Sequence, residues 1–131
     1  MPKPLSGSAI EQRLAKVTKI CLALPESACE RHANHAIFRV RRKVFAYFLN
    51  DHDNDGIVSV CVRSVLGENV DRVRLAPERF YLPPYIGPRG WFGLRLDRSP
   101  VVWGEVAEVV GASYRLAAPK TLVRRLDAAG S

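Results

Sequence analysis

The spacing of the apolar residues constrains the fold most, because it changes from a helical period to a strand period and back. The first stretch repeats at intervals of three and four, with Ile10, Leu14, Val17, Cys21 and Leu24. This pattern predicts an amphipathic helix. From residue 36 the interval becomes two, which indicates strands. A second helical period begins near residue 102, so the sequence predicts an α+β domain.

The first helix is predicted over residues 8–24. Ser8 is followed three residues later by Glu11, the spacing of a capping box that satisfies free N–H groups at a helix start. Pro25 disfavours a helical conformation at Leu24, so the helix should end there.

The middle of the chain predicts an antiparallel meander. Phe38 and Val40 alternate on one face, and residues 44–49 are rich in strand-forming types. Arg41 and Arg42 lie at the predicted hairpin turn between these two strands. The polar run over residues 50–56 forms the next turn, and residues 57–62 form a third strand.

The last third of the chain predicts one further strand and two helical segments. In the strand, over residues 90–96, Phe92, Leu94 and Leu96 face inward and Trp91 faces the other side. Residues 64–75 are read as a short helix or irregular crossover, and the prolines between residues 77 and 88 as an extended stretch. Ser99 and Pro100 are read as the cap and first turn of a helix over residues 101–116, and residues 120–127 as a short amphipathic segment.

These elements predict a single two-layer domain over residues 1–131, an antiparallel meander with helices packed on one face. Leu14 and Val106 should then share one core. The chain has 131 residues, of which 47% are hydrophobic, enough for one core. No apolar run approaches the roughly 20 residues of a membrane span, and no secretion signal is visible, so we expect a cytoplasmic protein with reduced thiols.

Two segments carry residues that could bind a metal, and neither is predicted to do so. Residues 51–56 resemble the opening of an EF-hand loop, but the twelfth position is Val62 where a glutamate is needed. Cys29, His32 and His35 have a spacing that could bind zinc, with Cys61 or His52 as a fourth ligand supplied by the fold. Cys29 with either histidine could also form a nucleophile and base pair. We expect no metal, no cofactor and no catalytic residue, so an enzyme is the less favoured class.

The positive charge points to a polyanion as partner. The formal net charge is +7, and most of the basic residues are arginines, which bind phosphate with two parallel donors. Basic and aromatic residues recur on the predicted meander and last strand, where they could contact phosphates and stack on bases. The candidate nucleic-acid-binding residues are Arg39, Arg41, Arg42, Lys43, Arg63, Arg89, Trp91 and Arg95. Alternatively, the charge only keeps the domain soluble.

A second class of function stays open beside nucleic-acid binding. His35, Tyr85 and Trp91 could line a pocket of a small-ligand protein or an enzyme. An even basic sheet face would favour the first class, and a deep pocket the second.

Four short motifs resemble the MmcQ/YjbR family, in the order in which that family shows them, over nearly the whole chain. They are residues 24–27 (LPES), residues 38–40 with 43–46 (FRV and KVFA), residues 83–91 (PPYIGPRGW) and residues 113–116 (SYRL). The resemblance implies a CyaY-like or double-wing α+β fold. It also implies DNA binding, the function suggested for that family, with no reaction assigned to it. Where the family has a glycine-rich turn, this chain has Arg41-Arg42, which adds positive charge. Where the family has a lysine at the end of the third strand, this chain has Arg63, which keeps the positive charge.

Overall fold

The computed structural model describes residues 5–98 and 100–129, and these contain four helices and six strands. The helices are α1 (Gly7–Leu22), α2 (Glu68–Leu75), α3 (Trp103–Ala117) and α4 (Lys120–Ala129). The strands are β1 (Ser27–His32), β2 (His35–Val40), β3 (Lys43–Asn50), β4 (Val58–Arg63), β5 (Phe80–Tyr81) and β6 (Trp91–Arg95). None of these helices has the length and apolar character needed to cross a bilayer.

The six strands form one antiparallel sheet in the order β1-β2-β3-β4-β6-β5. The first four follow each other as a meander, and β6 returns beside β4 after α2 and β5. The predicted α+β class with an antiparallel meander is therefore confirmed. Arg41 and Arg42 connect the paired residues Val40 and Lys43, as the hairpin prediction requires.

Helices α1 and α3 pack on one face of the sheet, called here the inner face. The core between the layers contains Leu14 and Val106, which are 2% and 0% exposed, so the prediction that they share one core is confirmed. Phe92, Leu94 and Leu96 face this core, also as predicted. Alternation along the strands places the remaining side chains on the opposite, outer face.

A buried serine ties the second layer to the sheet. Ser113 of α3 donates to the carbonyl of Phe45 at 2.6 Å and accepts from the backbone N–H of Arg63 at 2.9 Å. One hydroxyl thereby joins a helix to two neighbouring strands.

Three predicted helix boundaries are wrong. The N-cap of α1 is Ser6, whose hydroxyl accepts from the N–H of Ala9, so Ser8 is already inside the helix and the box with Glu11 does not form. At the other end α1 stops at Leu22, before the predicted Leu24. Helix α3 begins at Trp103 with Val102 as its N-cap, so Pro100 precedes the helix. The predicted cap at Ser99 lies outside the described residues.

Two strands lie outside the prediction. β1 carries polar residues such as Glu30 and Arg31, and its apolar alternation is weak because it is an edge strand paired only with β2. Charged residues on an edge strand also discourage pairing between molecules. β5 has only two residues and lies at the other edge, within the stretch interpreted as extended and proline-rich.

Truncation of Leu14 tests the two-layer core. Leu14→Ala should lower the free energy of unfolding by about 2 to 5 kcal/mol, because it leaves a cavity between α1 and the sheet. Leu22→Ala is the matched control, since Leu22 lies on the same helix but is 47% exposed. Urea denaturation measures both variants. Equal losses in the two would contradict the packing of α1 described here.

Candidate functional site

The strand order brings most of the candidate basic residues to one end of the sheet. The β2–β3 turn, the last residue of β4 and the first residue of β6 are adjacent there, since Val40 pairs with Lys43, and Arg63 pairs with Trp91. We call this region the basic end; it contains Arg39, Arg41, Arg42, Lys43, Arg63 and Arg89. Arg95 lies at the opposite end, where it pairs with Ser59. The fold thus separates Arg95 from the other cations.

Three of the candidate arginines are neutralised by carboxylates. Arg41 Nε lies 2.8 Å from Glu26 Oε1. Arg95 binds Asp97 through two hydrogen bonds of 3.0 and 2.7 Å, and this pairing raises the pKa of Arg95. The third, Arg39, bonds to Glu30 of the neighbouring strand β1. Their positive charges are therefore partly cancelled in the folded chain.

Glu30 interacts with His32 and Arg39 on the outer face. His32 Nε2 lies 3.0 Å from Glu30 Oε1, and Arg39 bonds to the other carboxylate oxygen. Hydrogen bonds from His32 and Arg39 lower the pKa of Glu30, so the carboxylate is ionised at neutral pH. A phosphate approaching Arg39 would meet this negative charge.

Four cations of the basic end remain available. Arg42, Lys43, Arg63 and Arg89 are exposed, and they form no ion pair with any residue in ranges 5–98 and 100–129. The β2–β3 turn that carries the first two also borders a groove of about 810 Å³, whose other wall is residues 116–119. This groove gives a phosphate backbone room beside the turn.

Trp91 and Tyr85 occupy contrasting environments. The side chain of Trp91 is only 8% exposed and packs against Tyr47, with ring centroids 5.3 Å apart. It forms a small second cluster on the outer face with Leu49 and Cys61. Tyr85, in contrast, is 85% exposed. A stacking surface for a base is therefore offered by Tyr85, whereas Trp91 supports the sheet.

A strained turn holds Tyr85 in its exposed position. Its φ is 68°, and the N–H of Ile86 donates to the carbonyl of Pro84 at 2.8 Å, which makes Tyr85 the centre of a γ-turn with positive φ. Such a turn is rare and strained for a residue with a side chain. The N–H of Gly87 donates to the carbonyl of Pro83 at 3.0 Å and closes the loop around it.

A cleft of about 310 Å³ opens on the outer face at the end opposite to the basic end. All three histidines of the chain line it, namely His32, His35 and His52, together with Ile37, Tyr47, Leu49, Pro83 and Ile86. We call it the histidine cleft. Of the proposed pocket residues, His35 lies in this cleft, whereas Tyr85 is on the adjacent loop and Trp91 packs against Tyr47.

The zinc and nucleophile hypotheses do not fit the strands that carry their residues. Cys29 of β1 packs against the inner core, and His32, three residues later on the same strand, lines the outer cleft. Spacing of three gathers side chains on a helix but separates them on a strand. Burial raises the pKa of Cys29, the opposite of what a nucleophilic thiol needs. Within residues 5–98 and 100–129, no group of three ligating side chains is placed to hold a metal.

The other thiols are structural. Cys61 is fully buried beside Ser59 and Tyr81, and burial raises its pKa to about 11.

The run that resembles an EF-hand is a turn closed by its own side chains. Asp51 accepts from the N–H of Gly56 at 2.7 Å, and Asp55 accepts from the N–H of Ile57 at 2.8 Å.

Both the sequence and the fold are similar to those of known proteins. A family model described as YjbR matches residues 22–116. A crystal structure of the Deinococcus radiodurans protein DR2400, with a domain described as DUF419, is similar with a TM-score of 0.66 and 15% identity. The similarity covers 97% of this chain and 92% of that chain, and at this identity it concerns the fold alone. No curated protein matches the chain.

Proposed function

The chain belongs to the YjbR family, and we propose that it binds nucleic acid, with DNA as the favoured polymer, weakly and largely without sequence preference. The phosphate backbone lies at the basic end in this proposal. Four side chains, Arg42, Lys43, Arg63 and Arg89, make the contacts.

The observation that carries the proposal is the set of unneutralised cations at one end of the sheet. Several arginines elsewhere in the chain already have a carboxylate partner, such as Arg79 with Glu105 and Arg115 with Asp127. A cation that already has a carboxylate partner gains less from a phosphate, because it must exchange one anion for another. The four cations of the basic end have no such partner among the described residues, and each phosphate they contact would release condensed counterions.

Tyr85 supplies the aromatic surface in this proposal. Its ring is exposed, and it follows the two prolines of the loop that borders the outer face. Every base has a π-face, so stacking on a tyrosine adds affinity without sequence preference. The strain of its turn is consistent with a functional role, since strained residues concentrate at such sites.

A salt titration of the wild-type protein tests the proposal. Fluorescence anisotropy with a labelled single strand and a labelled duplex should show binding at low salt. With four phosphate contacts, log K should fall against log salt with a slope of about 3 on the single strand and about 4 on the duplex. Absence of binding at the lowest salt concentration would overturn the proposal.

Replacement of Glu30 should strengthen binding. Glu30→Gln removes the carboxylate that neutralises Arg39, so Arg39 becomes a fifth cation for phosphate. We expect a higher affinity and a salt slope larger by about one. Glu108→Gln is the control, because it changes the net charge equally from the exposed side of α3. An identical gain in both variants would mean that net charge, and not Arg39, is responsible.

A further inference from the structure

The histidine cleft has no role in the phosphate contacts proposed above, yet its lining is unusual. His32 and His35 face each other at the β1–β2 hairpin, His52 follows β3, and all three histidines of the chain line this one cavity. Its remaining walls are apolar. They are formed by Ile37, Tyr47 and Leu49 of the sheet and by Pro83 and Ile86 of the loop that carries Tyr85.

We propose that the histidine cleft binds a nucleobase, an inference that rests on the proposed function where the base belongs to a polymer. A base is a flat ring with apolar faces and a polar edge. The cleft offers apolar and aromatic walls for the faces, and imidazole nitrogens for the edge. Proteins that recognise unpaired bases use the same combination of stacking on Tyr or His and hydrogen bonds to the base edge.

The hydrogen bonds of two histidines define what they can offer to a base edge. His35 Nε2 donates to the carbonyl of Asn50 at 3.2 Å, and His32 Nε2 lies 3.0 Å from the ionised carboxylate of Glu30. Both partners only accept, so each Nε2 carries the proton. In the neutral imidazole the other nitrogen, Nδ1, is then an acceptor. Exocyclic amines and ring N–H groups of bases are the matching donors.

The outer face connects the cleft to the basic end. Ile37 in the cleft and Arg39 at the basic end are alternate residues of β2 on the same face, and Tyr47 of the cleft packs against Trp91, which pairs with Arg63. The six residues of β2 span roughly 16 Å at about 3.3 Å per residue. One strand of nucleic acid can therefore contact both sites. A base that is paired and stacked in a duplex cannot enter, so the cleft should favour single strands.

The imidazole signals in NMR spectra provide a direct test. Since the chain has three histidines and all three line the cleft, these signals report on the cleft alone. Titration with a short single-stranded DNA should shift them, and titration with a duplex of the same length should not. Adenosine monophosphate is the second probe, because it carries the same base chemistry without a polymer.

Substitution of the cleft lining completes the test. His35→Ala combined with Ile37→Ala should weaken binding of the single strand by about tenfold, and binding of the duplex by less than twofold. Leu22→Ala is a control for loss of an exposed apolar side chain, because it lies on α1 across the sheet. Circular dichroism of each variant checks that it is folded. The single variant His35→Ala, which leaves the apolar walls intact, replaces the double variant if the latter does not fold.

The outcomes separate this inference from the proposed function. If single strand and duplex bind with a salt-dependent affinity but the imidazole signals stay unchanged, the cleft inference is wrong and the proposed function stands. If neither polymer binds and adenosine monophosphate still shifts the signals, the cleft is a site for free nucleotides and the proposed function is overturned. If no probe binds, both are wrong.

Discussion

Gly90→Ala should destabilise the protein by about 2 to 5 kcal/mol. Gly90 has a φ of 99°, a backbone conformation that destabilises a residue with a Cβ by about 1 to 2 kcal/mol. A Cβ at this position would also lie 2.6 Å from the carbonyl oxygen of Ser64, which is backbone and cannot swing aside. Overpacking of this kind typically costs about 1 to 3 kcal/mol more. Urea denaturation measures the loss.

Gly67→Ala is a matched control for the backbone contribution. Gly67 has nearly the same φ, 101°, but a Cβ there would meet nothing within 4 Å. Gly67→Ala should therefore lower the free energy of unfolding by only about 1 to 2 kcal/mol. Equal losses in the two variants would show that the contact with Ser64 is unimportant.

The position of Gly90 links stability to the candidate site. Its carbonyl accepts from the N–H and the hydroxyl of Ser64, and its own N–H donates to the carbonyl of Gly87. Asn69 adds a second connection by donating to the carbonyls of Gly87 and Trp91 at 2.8 and 3.0 Å. These bonds hold the loop that presents Tyr85 and forms one wall of the histidine cleft. A variant that loosens this loop should therefore weaken nucleic-acid binding as well.

The elements with strong apolar periodicity could be predicted from the sequence. β2 alternates between buried and partly exposed residues because one face meets the helices, whereas β4 and β6 are apolar strands buried on both faces. Helices α1 and α3 carry continuous apolar stripes. The edge strand β1 has no such signal, since its partner β2 provides backbone hydrogen bonds whatever its side chains are. Helix boundaries were harder to predict, because Ser8 and Glu11 have the spacing of a capping box, yet Ser6, two residues earlier, caps α1.

The candidate site was predictable in its residue types and less so in its electrostatics. The turn at Arg41 and Arg42 follows from the strand pattern. The neutralisation of Arg39 by Glu30 depends on the pairing of β1 with β2, a strand absent from the prediction. The convergence of His52 with His32 and His35 likewise requires the register of three strands. The exposure of Tyr85 follows from a γ-turn between Pro84 and Ile86. The prolines of this stretch predicted an extended chain but not this turn.

Removal of two cations from the basic end should produce the largest change in binding. The double variant Arg42→Ala, Lys43→Ala should lose two phosphate contacts. The slope of log K against log salt for duplex DNA should therefore decrease in magnitude by about 2. Both side chains are exposed at a hairpin turn, so stability should change by less than about 0.5 kcal/mol each. Arg41→Ala should have a smaller effect than Arg42→Ala, because Glu26 already neutralises Arg41.

Lys16→Ala combined with Lys19→Ala is the charge-matched control for this variant. These two lysines lie on α1, on the opposite side of the sheet, and their removal changes the net charge by the same amount. If binding depends on local contacts at the basic end, the control should keep nearly the full salt slope of the wild-type protein. If both double variants lose the same slope, the positive charge acts from the whole surface, and the phosphate site does not lie at the β2–β3 turn.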